Sequence, residues 1–388
     1  MIIGIDGNEA NVERRVGISE YAYQLLRQFS SFSEDSENKT RFRIYLKSKP
    51  LEHMPKESAY WQYRVVTPGK LWTQWRLPLD LYWNRPRPSV FFSPTHYAPR
   101  FSPVPTVMSV MDLSYLYFPE LFNKSDLYQL RSWTAYSVKN AKKVLTISNS
   151  SRDDIIKEYA VKKDTVVAIH PGIKETITLK PHVFSMNQLK AKYGISDNYV
   201  LFVGTLQPRK NITRLIEAFD QVIKSSSSKV IKLSGPVPED LQLIVVGKKG
   251  WLYESILQTP QNLGIEDKVK FLEGVPDDEL TLFYKHALCY VLPSLYEGFG
   301  LPVLEAMKHG CPVITSKISS LPEAGGDAAL YVDPGDAKDI AEKMIQVITN
   351  EELRDEMREK GKIQVKKFSW EKTARATLEV LEDVGRKK

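Results

Sequence analysis

The chain has 388 residues, of which 42% are hydrophobic and 26% charged; this composition is typical of a folded protein and excludes intrinsic disorder. At ~150 residues per domain the length predicts two domains, and no apolar run reaches the ~20 residues that a membrane span needs. The first residues, Met1 to Asp6, lack the pattern of a secretory signal, so we expect a cytoplasmic protein.

Basic residues outnumber acidic ones, and the formal net charge is +7. A positive charge favours anionic partners such as phosphorylated ligands, nucleic acid or an anionic lipid surface. Because neither a zinc-finger spacing nor an RNA-binding aromatic signature occurs, we expect no nucleic-acid partner. The two cysteines, Cys289 and Cys311, lie in apolar segments without metal-ligand spacing, which predicts buried free thiols and no metal site.

Short runs rich in Val, Ile, Leu and Tyr alternate with amphipathic, helix-length stretches in both halves of the chain. This alternation predicts an α/β fold with parallel sheets covered by helices on both faces. The predicted strands are Ile2–Ile5, Phe42–Leu46, Tyr63–Val66, Val90–Phe92, Thr106–Val110, Val144–Ile147, Val166–Ile169, Tyr199–Val203, Leu241–Val246, Val269–Leu272, Leu288–Leu292, Pro312–Ile314 and Leu330–Val332. We therefore expect two Rossmann-like, doubly wound domains facing each other across a cleft, with ligands at the carboxyl ends of the strands.

The segment from His170 to His182 is rich in turn residues and lacks periodicity, so it is interpreted as the connection between the domains. This predicts an N-terminal domain of residues 1–172 and a C-terminal domain of residues 183–369. The Ser225–Ser228 run predicts a surface loop. After the last strand, helices are predicted at Ala337–Ile348 and Glu352–Lys367, and Ser369 is a candidate N-cap of a final helix.

Gly204-Thr-Leu-Gln-Pro-Arg209-Lys210-Asn211 directly follows a predicted strand and precedes a helix. Gly204 permits close backbone approach, Arg209 offers a planar fork for phosphate oxygens, and Lys210 adds a point charge. Asn211 is a candidate cap of the helix, whose positive end faces the same place. A basic pair in a solvated turn is the alternative interpretation, but the position at the carboxyl end of a strand favours a phosphate site.

A second candidate site, Glu297-Gly298-Phe-Gly300-Leu-Pro-Val-Leu-Glu305, follows another strand. Proline suits a first helical turn, so Glu297 is predicted in the loop and Glu305 just inside the helix. A carboxylate accepts hydrogen bonds from a vicinal diol, so Glu305 suits a ribose and Glu297 a hexose. Alternatively, Glu305 only complements the helix dipole and the glycines only form a turn, but this interpretation leaves Glu297 unexplained.

These two segments resemble the retaining glycosyltransferases of group 1, also called family 4, which have the GT-B fold. The family signature has two glutamates separated by seven residues around a Glu-Gly-Phe-Gly-Leu-Pro core, and Glu297 to Glu305 reproduces it. The loop from Gly204 to Asn211 matches the family's diphosphate loop. Similarity is strongest over Val200–Asp333, and the first half resembles the family in scattered pieces, such as Gly17, Ser148 and the Pro171-Gly172 pair.

The resemblance implies a donor bound mainly by the second domain, with Arg209 and Lys210 on the diphosphate. It places Glu305 on the ribose and Glu297 on the transferred sugar, and backbone near Val275 on the base. The predicted catalytic set is Glu297, Lys210, Arg209 and Asp112. The predicted donor-binding set is Gly17, Gly204, Arg209, Lys210, Val275, Glu297, Gly298, Phe299, Gly300, Leu301 and Glu305.

The implied activity is transfer of a hexose from a nucleotide diphosphate sugar to an acceptor hydroxyl of a glycan or a lipid-linked saccharide, with retention of anomeric configuration. No metal and no cofactor are implied. The Asp112–Pro119 segment is similar to that of mannosyltransferase members, which favours GDP-mannose, while UDP-glucose and UDP-N-acetylglucosamine stay open. As in relatives, the final helix, residues 370–388, is expected to pack on the first domain.

One departure from the family lies at Met111, where many relatives have histidine before Asp112. The change implies altered sugar or acceptor geometry, or a weak enzyme. His96 follows another strand of the same domain and is a candidate substitute, although a lone histidine is more often structural.

Two surface segments allow two interpretations each. The Asp6–Ile18 loop, with Glu9, Arg14, Arg15 and Gly17, closes on phosphate or acceptor, or is a plain surface loop. The aromatic and basic segment Lys70–Arg87 suits either peripheral contact at the inner face of the membrane or, as we favour, a packed helix with a basic outer face.

Two alternatives to a transferase remain open at this stage. A nucleotide-sugar epimerase of GT-B fold would interconvert the donor without any acceptor. A non-catalytic sugar-binding protein would share the cleft, but it has no need of a diphosphate-binding basic pair and is normally exported, which the N-terminal sequence does not favour.

Overall fold

The computed structural model describes residues 1–35, 40–173, 185–225 and 235–387. The chain divides into two compact units, Met1–Gly172 with Phe368–Lys388, and Ile173–Lys367. Most of the predicted linker from His170 to His182, the predicted start of the second domain at residue 183, and the Ser225–Ser228 loop beyond its first residue lie outside the described residues.

The first unit is built on one parallel sheet. Its strands are β1 (Ile2–Asp6), β2 (Arg41–Leu46), β3 (Trp61–Val65), β4 (Val90–Ser93), β5 (Thr106–Ser109), β6 (Lys143–Thr146) and β7 (Val166–Ala168). Its helices before the linker are α1 (Ile18–Asp35), α2 (Leu77–Trp83), α3 (Ser114–Tyr117), α4 (Lys124–Asn140) and α5 (Asn149–Tyr159). The strand order is β3-β2-β1-β4-β5-β6-β7. Every residue of β4 and β5 is buried, as expected for strands covered on both faces.

The second unit repeats this plan. Its helices are α6 (Met186–Tyr193), α7 (Ile212–Ser225), α8 (Glu254–Leu263), α9 (Asp277–His286), α10 (Leu301–Lys308), α11 (Leu321–Gly325), α12 (Ala337–Ile348) and α13 (Glu351–Val365). Its strands are β8 (Tyr199–Val203), β9 (Gln242–Val246), β10 (Val269–Leu272), β11 (Cys289–Leu292), β12 (Val313–Ser316) and β13 (Ala329–Val332). They form a parallel sheet in the order β10-β9-β8-β11-β12-β13.

The strand order of the second sheet reverses between β8 and β11, which are neighbours. Connections on either side of such a point leave toward opposite faces of the sheet, and a crevice opens beyond the carboxyl ends of the two strands. The loop after β8 begins at Gly204, and the loop after β11 begins at Pro293. The topology therefore brings the two segments singled out in the sequence to one place.

The final helix, α14 (Trp370–Arg386), belongs to the first unit. The Ser369 hydroxyl accepts a hydrogen bond from the backbone amide of Lys372 and caps the helix. The helix contacts α1, β4 and β6. Trp370 and Leu381 join the apolar core of the first unit, so the amphipathic pattern of this helix is explained by burial against that core.

The thirteen predicted strands are confirmed, and their ends differ from the prediction by at most two residues. The predicted helix Ala337–Ile348 is confirmed with the same bounds, whereas the helix predicted to reach Lys367 ends at Val365. The central strands are well predicted because their buried apolar runs contrast sharply with the polar loops around them.

Candidate active site

The loop after β8 is a tight turn that displays two cations. Residues Pro208–Lys210 form one turn of 3-10 helix, closed by a hydrogen bond from the Lys210 amide to the Gln207 carbonyl of 3.0 Å. Asn211 then adopts a positive φ of 59° before α7 begins. A Cβ atom on Gly204 would lie 3.2 Å from Cζ of Phe202, so a side chain at this position would crowd the Phe202 ring.

The loops after β8 and β11 are joined directly. The Leu295 amide donates to the Arg209 carbonyl over 2.8 Å. The Asn211 side-chain amide donates to the carbonyls of Pro293, at 3.0 Å, and Pro334, at 2.7 Å. The prediction that Asn211 uses its side chain to cap α7 is therefore replaced by a different role, because the amide group instead holds neighbouring loops in register.

Glu297 lies at the centre of the joined loops. Its carboxylate forms an ion pair with Lys210 and accepts a hydrogen bond from Arg209 Nη1 over 3.2 Å. The Ser294 hydroxyl donates to the same carboxylate over 2.7 Å. Glu297 is 6% exposed and Lys210 is 7% exposed, so the two form a buried ion pair, and the partly buried Arg209 adds a second cation beside it.

The charge state of Glu297 follows from these contacts. Burial alone would raise the pKa of the carboxyl group, but the charges of Lys210 and Arg209, with hydrogen bonds from Lys210 and Ser294, lower the pKa to about 2. Glu297 is therefore ionised at neutral pH. With two cations against one carboxylate, the three side chains carry one net positive charge, which attracts an anionic ligand.

Serine side chains fix the backbone of Glu297. The Glu297 carbonyl accepts hydrogen bonds from the hydroxyls of Ser319, at 2.7 Å, and Ser320, at 2.8 Å. The Glu297 amide donates to Ser319 Oγ over 3.2 Å. Sequence reasoning missed Ser294, Ser319 and Ser320, although their position just after β11 and β12 is the available signal, because hydroxyls at carboxyl ends of strands lie beside a ligand crevice.

Glu305, the second glutamate of the signature, lies in α10 and is partly buried. Its negative charge and that of Glu297 both affect the pKa of Tyr290. Burial, followed by the charges of Glu297 and Glu305, raises the pKa of Tyr290. The Tyr290 hydroxyl donates to the Val203 carbonyl over 3.2 Å, at the end of β8. The Tyr290 hydroxyl thus links β11 to β8.

Gly300 shapes the start of α10. Its φ of 99° is a backbone conformation that residues with side chains rarely adopt, and a Cβ atom there would lie 2.8 Å from Leu321 Cδ2. Phe299 is 2% exposed and anchors the turn. The structure therefore brings together Gly204, Arg209, Lys210, Glu297, Gly298, Phe299, Gly300, Leu301 and Glu305 around one switch point. Val275 follows β10, two strands from β8.

The remaining predicted site residues, Asp112 and Gly17, belong to the first unit. Asp112 follows β5 and accepts a hydrogen bond from the Ser114 amide over 2.8 Å, which stabilises the start of α3. Gly17 is exposed with a positive φ of 54°, and a Cβ atom there would meet no neighbouring atom. Their predicted roles toward sugar and phosphate stay predictions.

His96, the candidate substitute for the missing histidine at Met111, packs edge-on against Tyr115, with 6.0 Å between ring centres. Its Nδ1 atom has no hydrogen-bond partner among the described residues. Burial, opposed by the negative charge of Asp112, lowers the pKa of His96. The ring is therefore neutral at physiological pH, and its role stays a prediction.

Both cysteines are buried free thiols, as predicted. Burial raises the pKa of Cys289 to about 12, so this thiol is protonated and unreactive at neutral pH. Within the described ranges, no group of three or more His, Cys, Asp or Glu side chains is arranged to hold a metal ion.

Two doubly wound parallel sheets, with Arg209, Lys210 and Glu297 at the switch point of the second, place the protein in the class of two-domain α/β proteins with the GT-B fold. Residues 185–364 match the family described as glycosyl transferases group 1. The chain is 32% identical over 273 residues to O-antigen chain mannosyltransferase B of Escherichia coli, covering 70% of this chain and 68% of that protein. The chain belongs to the glycosyl transferases group 1.

Solved structures share the fold over nearly the whole chain. Sucrose-phosphate synthase from Thermosynechococcus elongatus superimposes with a TM-score of 0.71 at 18% identity, covering 99% of each chain. The Anabaena protein HepE, in complex with UDP and glucose, gives a TM-score of 0.69 at 18% identity, covering 98% of this chain and 99% of that one. At this identity the likeness shows the GT-B fold alone.

Proposed function

We propose that this glycosyltransferase transfers mannose from GDP-mannose to an acceptor hydroxyl of a glycan or a lipid-linked saccharide, with retention of anomeric configuration. The observation that carries the proposal is the burial of Glu297 against Lys210 and Arg209 at the switch point of the second sheet. The name of the Escherichia coli relative supports mannose. UDP-hexoses are the second candidate donors, supported by the complex of HepE with UDP and glucose.

The two cations suit a leaving diphosphate. As the bond between the sugar and the diphosphate breaks, negative charge grows on the departing phosphate oxygens, and fixed positive charges in a dry site stabilise it. Arg209 and Lys210 lie at the carboxyl end of β8, where such a group would bind. Because Glu297 already orients both cations, little reorganisation is needed when the donor enters.

The sugar and ribose would be held by the acids and by backbone amides. Glu297 accepts hydrogen bonds from hexose hydroxyls, and Glu305 accepts them from the ribose diol. Amides of the Gly298–Leu301 turn face the sugar and the diphosphate, and backbone near Val275 meets the base.

In the proposed reaction, the acceptor oxygen forms a bond to the anomeric carbon on the face from which the diphosphate leaves. The bond between that carbon and the phosphate oxygen breaks, and its electron pair stays on the phosphate. The acceptor proton passes to a phosphate oxygen of the departing group. Positive charge from Arg209 and Lys210 takes the place of a metal ion in this scheme, and no cofactor takes part.

A lipid-linked acceptor would place the protein at the inner face of the membrane, and the Lys70–Arg87 segment offers surface for this contact. Trp72 is buried, with its indole NH donating to the Val66 carbonyl over 2.9 Å, and α2 buries Leu77, Pro78 and Leu81, as expected of a packed helix. Trp75 and Trp83 are nevertheless 59% and 74% exposed, which suits an interfacial contact. None of the helices in the described part of the chain is long and apolar enough to cross a bilayer.

The proposal is tested with purified protein, a panel of GDP-mannose, UDP-glucose and UDP-N-acetylglucosamine, and saccharide acceptors. Release of nucleoside diphosphate is measured, and the anomeric configuration of the product is read by NMR. Lys210→Ala and Glu297→Ala are expected to lower turnover at least ~100-fold, the scale of removing one charge-stabilising group. Lys224→Ala is the matched control, because Lys224 also pairs with a buried acid, Asp220, but at the far end of α7.

Several outcomes would contradict the proposal. If the Lys210→Ala or Glu297→Ala variant turns over donor as fast as the control, the replaced residue does not have the proposed role. Conversion of the donor sugar without any acceptor would indicate an epimerase, and binding without turnover would indicate a sugar-binding protein. A product of inverted configuration would exclude the retaining reaction.

A further inference from the structure

The loop after β9, which begins at Gly247, lies beside the proposed donor site. In the second sheet, β9 is the neighbour of β8 on one side and of β10 on the other. The loop after β8 carries the cations proposed to hold the diphosphate, and the loop after β10 carries Val275, proposed to meet the base. Because all three strands are parallel, the loop after β9 lies between these two at the same edge of the sheet.

The first part of this loop is fastened to the loop after β8. The Leu206 amide donates to the Lys248 carbonyl, and the Gly250 amide donates to the Leu206 carbonyl, both over 2.9 Å. A Cβ atom on Gly247 would overlap the Gly204 carbonyl oxygen, and one on Gly250 would lie 2.7 Å from the Leu206 carbonyl oxygen. The two backbones approach closely only because both positions are glycine.

The rest of the loop, Lys248–Tyr253, presents cationic and aromatic side chains to solvent. We call this segment the lysine-tryptophan loop. Lys248 and Lys249 are both exposed, and in the described ranges neither forms an ion pair. Trp251 is 56% exposed, so much of the free energy that burial of an indole ring would contribute is not gained in the chain alone. The next residue, Leu252, is 55% exposed and has a positive φ of 55°.

Cations and an aromatic ring, held between a diphosphate loop and a base loop, match the chemistry of a nucleoside diphosphate. Ammonium groups interact favourably with phosphate oxygens. Any nucleobase can stack on an aromatic side chain, because every base has a flat π face. Burial of Trp251 by a ligand would recover apolar surface that the unliganded chain leaves exposed.

We propose that the lysine-tryptophan loop is a second binding element for the nucleoside diphosphate part of the donor, with Lys248 and Lys249 beside the diphosphate and Trp251 against the nucleoside. This inference rests on the proposed function, since it takes the donor to lie at the carboxyl edge of the second sheet. It assigns these residues to donor affinity and not to the chemical step, so KM for the donor changes more than kcat when they are replaced.

The test measures binding of UDP and of GDP by calorimetry, with quenching of tryptophan fluorescence as a second readout, at low and high salt. The variants are Lys248→Ala/Lys249→Ala, Trp251→Ala and Trp251→Phe. The double lysine variant is expected to weaken binding about tenfold, with a smaller loss at high salt because the charges are exposed and screened. Trp251→Ala is expected to weaken binding at least about fivefold, and Trp251→Phe to restore most of it.

The matched control is Lys360→Ala/Lys362→Ala, which removes two exposed lysines of the same unit from α13. It is expected to bind nucleotide as the wild type does. If the wild type binds and turns over donor and the loop variants bind nucleotide with wild-type affinity, this inference is overturned and the proposed function is not affected. Equal weakening in the control would also overturn it, because the effect would then come from overall charge. A wild type that binds neither nucleotide would overturn both proposals.

Discussion

Replacing Glu297 with glutamine removes the charge at the centre of the candidate site while keeping the size of the side chain. The pKa of Glu297 lies at about 2 instead of 4.5, which at about 1.4 kcal/mol per pH unit corresponds to about 3 kcal/mol of folding stability at neutral pH. Removing one partner of a buried pair also leaves the other charge uncompensated, and such changes cost about 3 to 5 kcal/mol. We therefore expect Glu297→Gln to be destabilised by about 3 kcal/mol at pH 7.

The pH dependence of this loss has a defined sign. A carboxyl group whose pKa is lowered by folding stabilises the native state above its ordinary pKa, and this contribution disappears as the pH falls through the native value. The difference in stability between wild type and Glu297→Gln should stay constant from pH 7 to about pH 5 and shrink below about pH 4.5.

The assay is thermal and urea unfolding of the full chain across this pH range, with donor turnover measured in parallel. Glu279→Gln is the matched control: Glu279 is a buried acid that accepts hydrogen bonds from Lys192 and Tyr193 of α6, and its replacement should leave turnover intact. Two results would contradict this prediction: a free energy of unfolding of Glu297→Gln equal to that of the wild type at pH 7, or a difference between the two that does not decrease in acid.

Three further predictions concern the rest of the molecule. Burial, opposed by hydrogen bonds from a neighbouring asparagine, raises the pKa of Asp6 to about 6. The native state therefore favours the protonated carboxyl group, and the wild type should lose about 3 kcal/mol of stability as the pH rises from about 4 to 6. Asp6→Asn should not show this loss when thermal unfolding is measured over the same range. Gly300→Ala should lower the unfolding temperature more than Gly310→Ala, since both have positive φ but only at Gly300 would the new methyl group crowd a neighbouring side chain; equal effects would argue against crowding. Leu381→Ala should cost about 2 to 5 kcal/mol by opening a cavity in the first unit, whereas Ile363→Ala, at a residue 64% exposed, should change stability by less than about 0.5 kcal/mol, as urea unfolding would show.

The fold could be predicted because the central strands, such as β4, β5, β11 and β12, are buried apolar runs between polar loops. The same rule located the two site segments, since Gly204 and Glu297 each follow a strand closely, and ligand crevices form at carboxyl ends. The sequence also indicated that Pro302 opens a helix, and α10 begins at Leu301. These features depend only on short-range patterns.

Other features of the site depend on contacts between distant parts of the chain. Lys210 and Glu297 are 87 positions apart, and nothing in their local sequences shows that they pair with each other. The hydroxyls of Ser319 and Ser320, which hold the Glu297 carbonyl, come from a third loop. Asn211 resembles a helix cap in sequence, but its side chain donates a hydrogen bond to the Pro293 carbonyl of the neighbouring loop. This partner depends on tertiary packing and cannot be predicted from the local sequence.

A crystal structure of the protein with bound GDP or UDP tests the central claim most directly. The account predicts the diphosphate at the carboxyl ends of β8 and β11, with oxygens within about 3.2 Å of Arg209 or Lys210 nitrogen atoms and the ribose beside Glu305. A nucleotide bound elsewhere, with the pair of Lys210 and Glu297 still enclosed and out of reach of any phosphate, would contradict it.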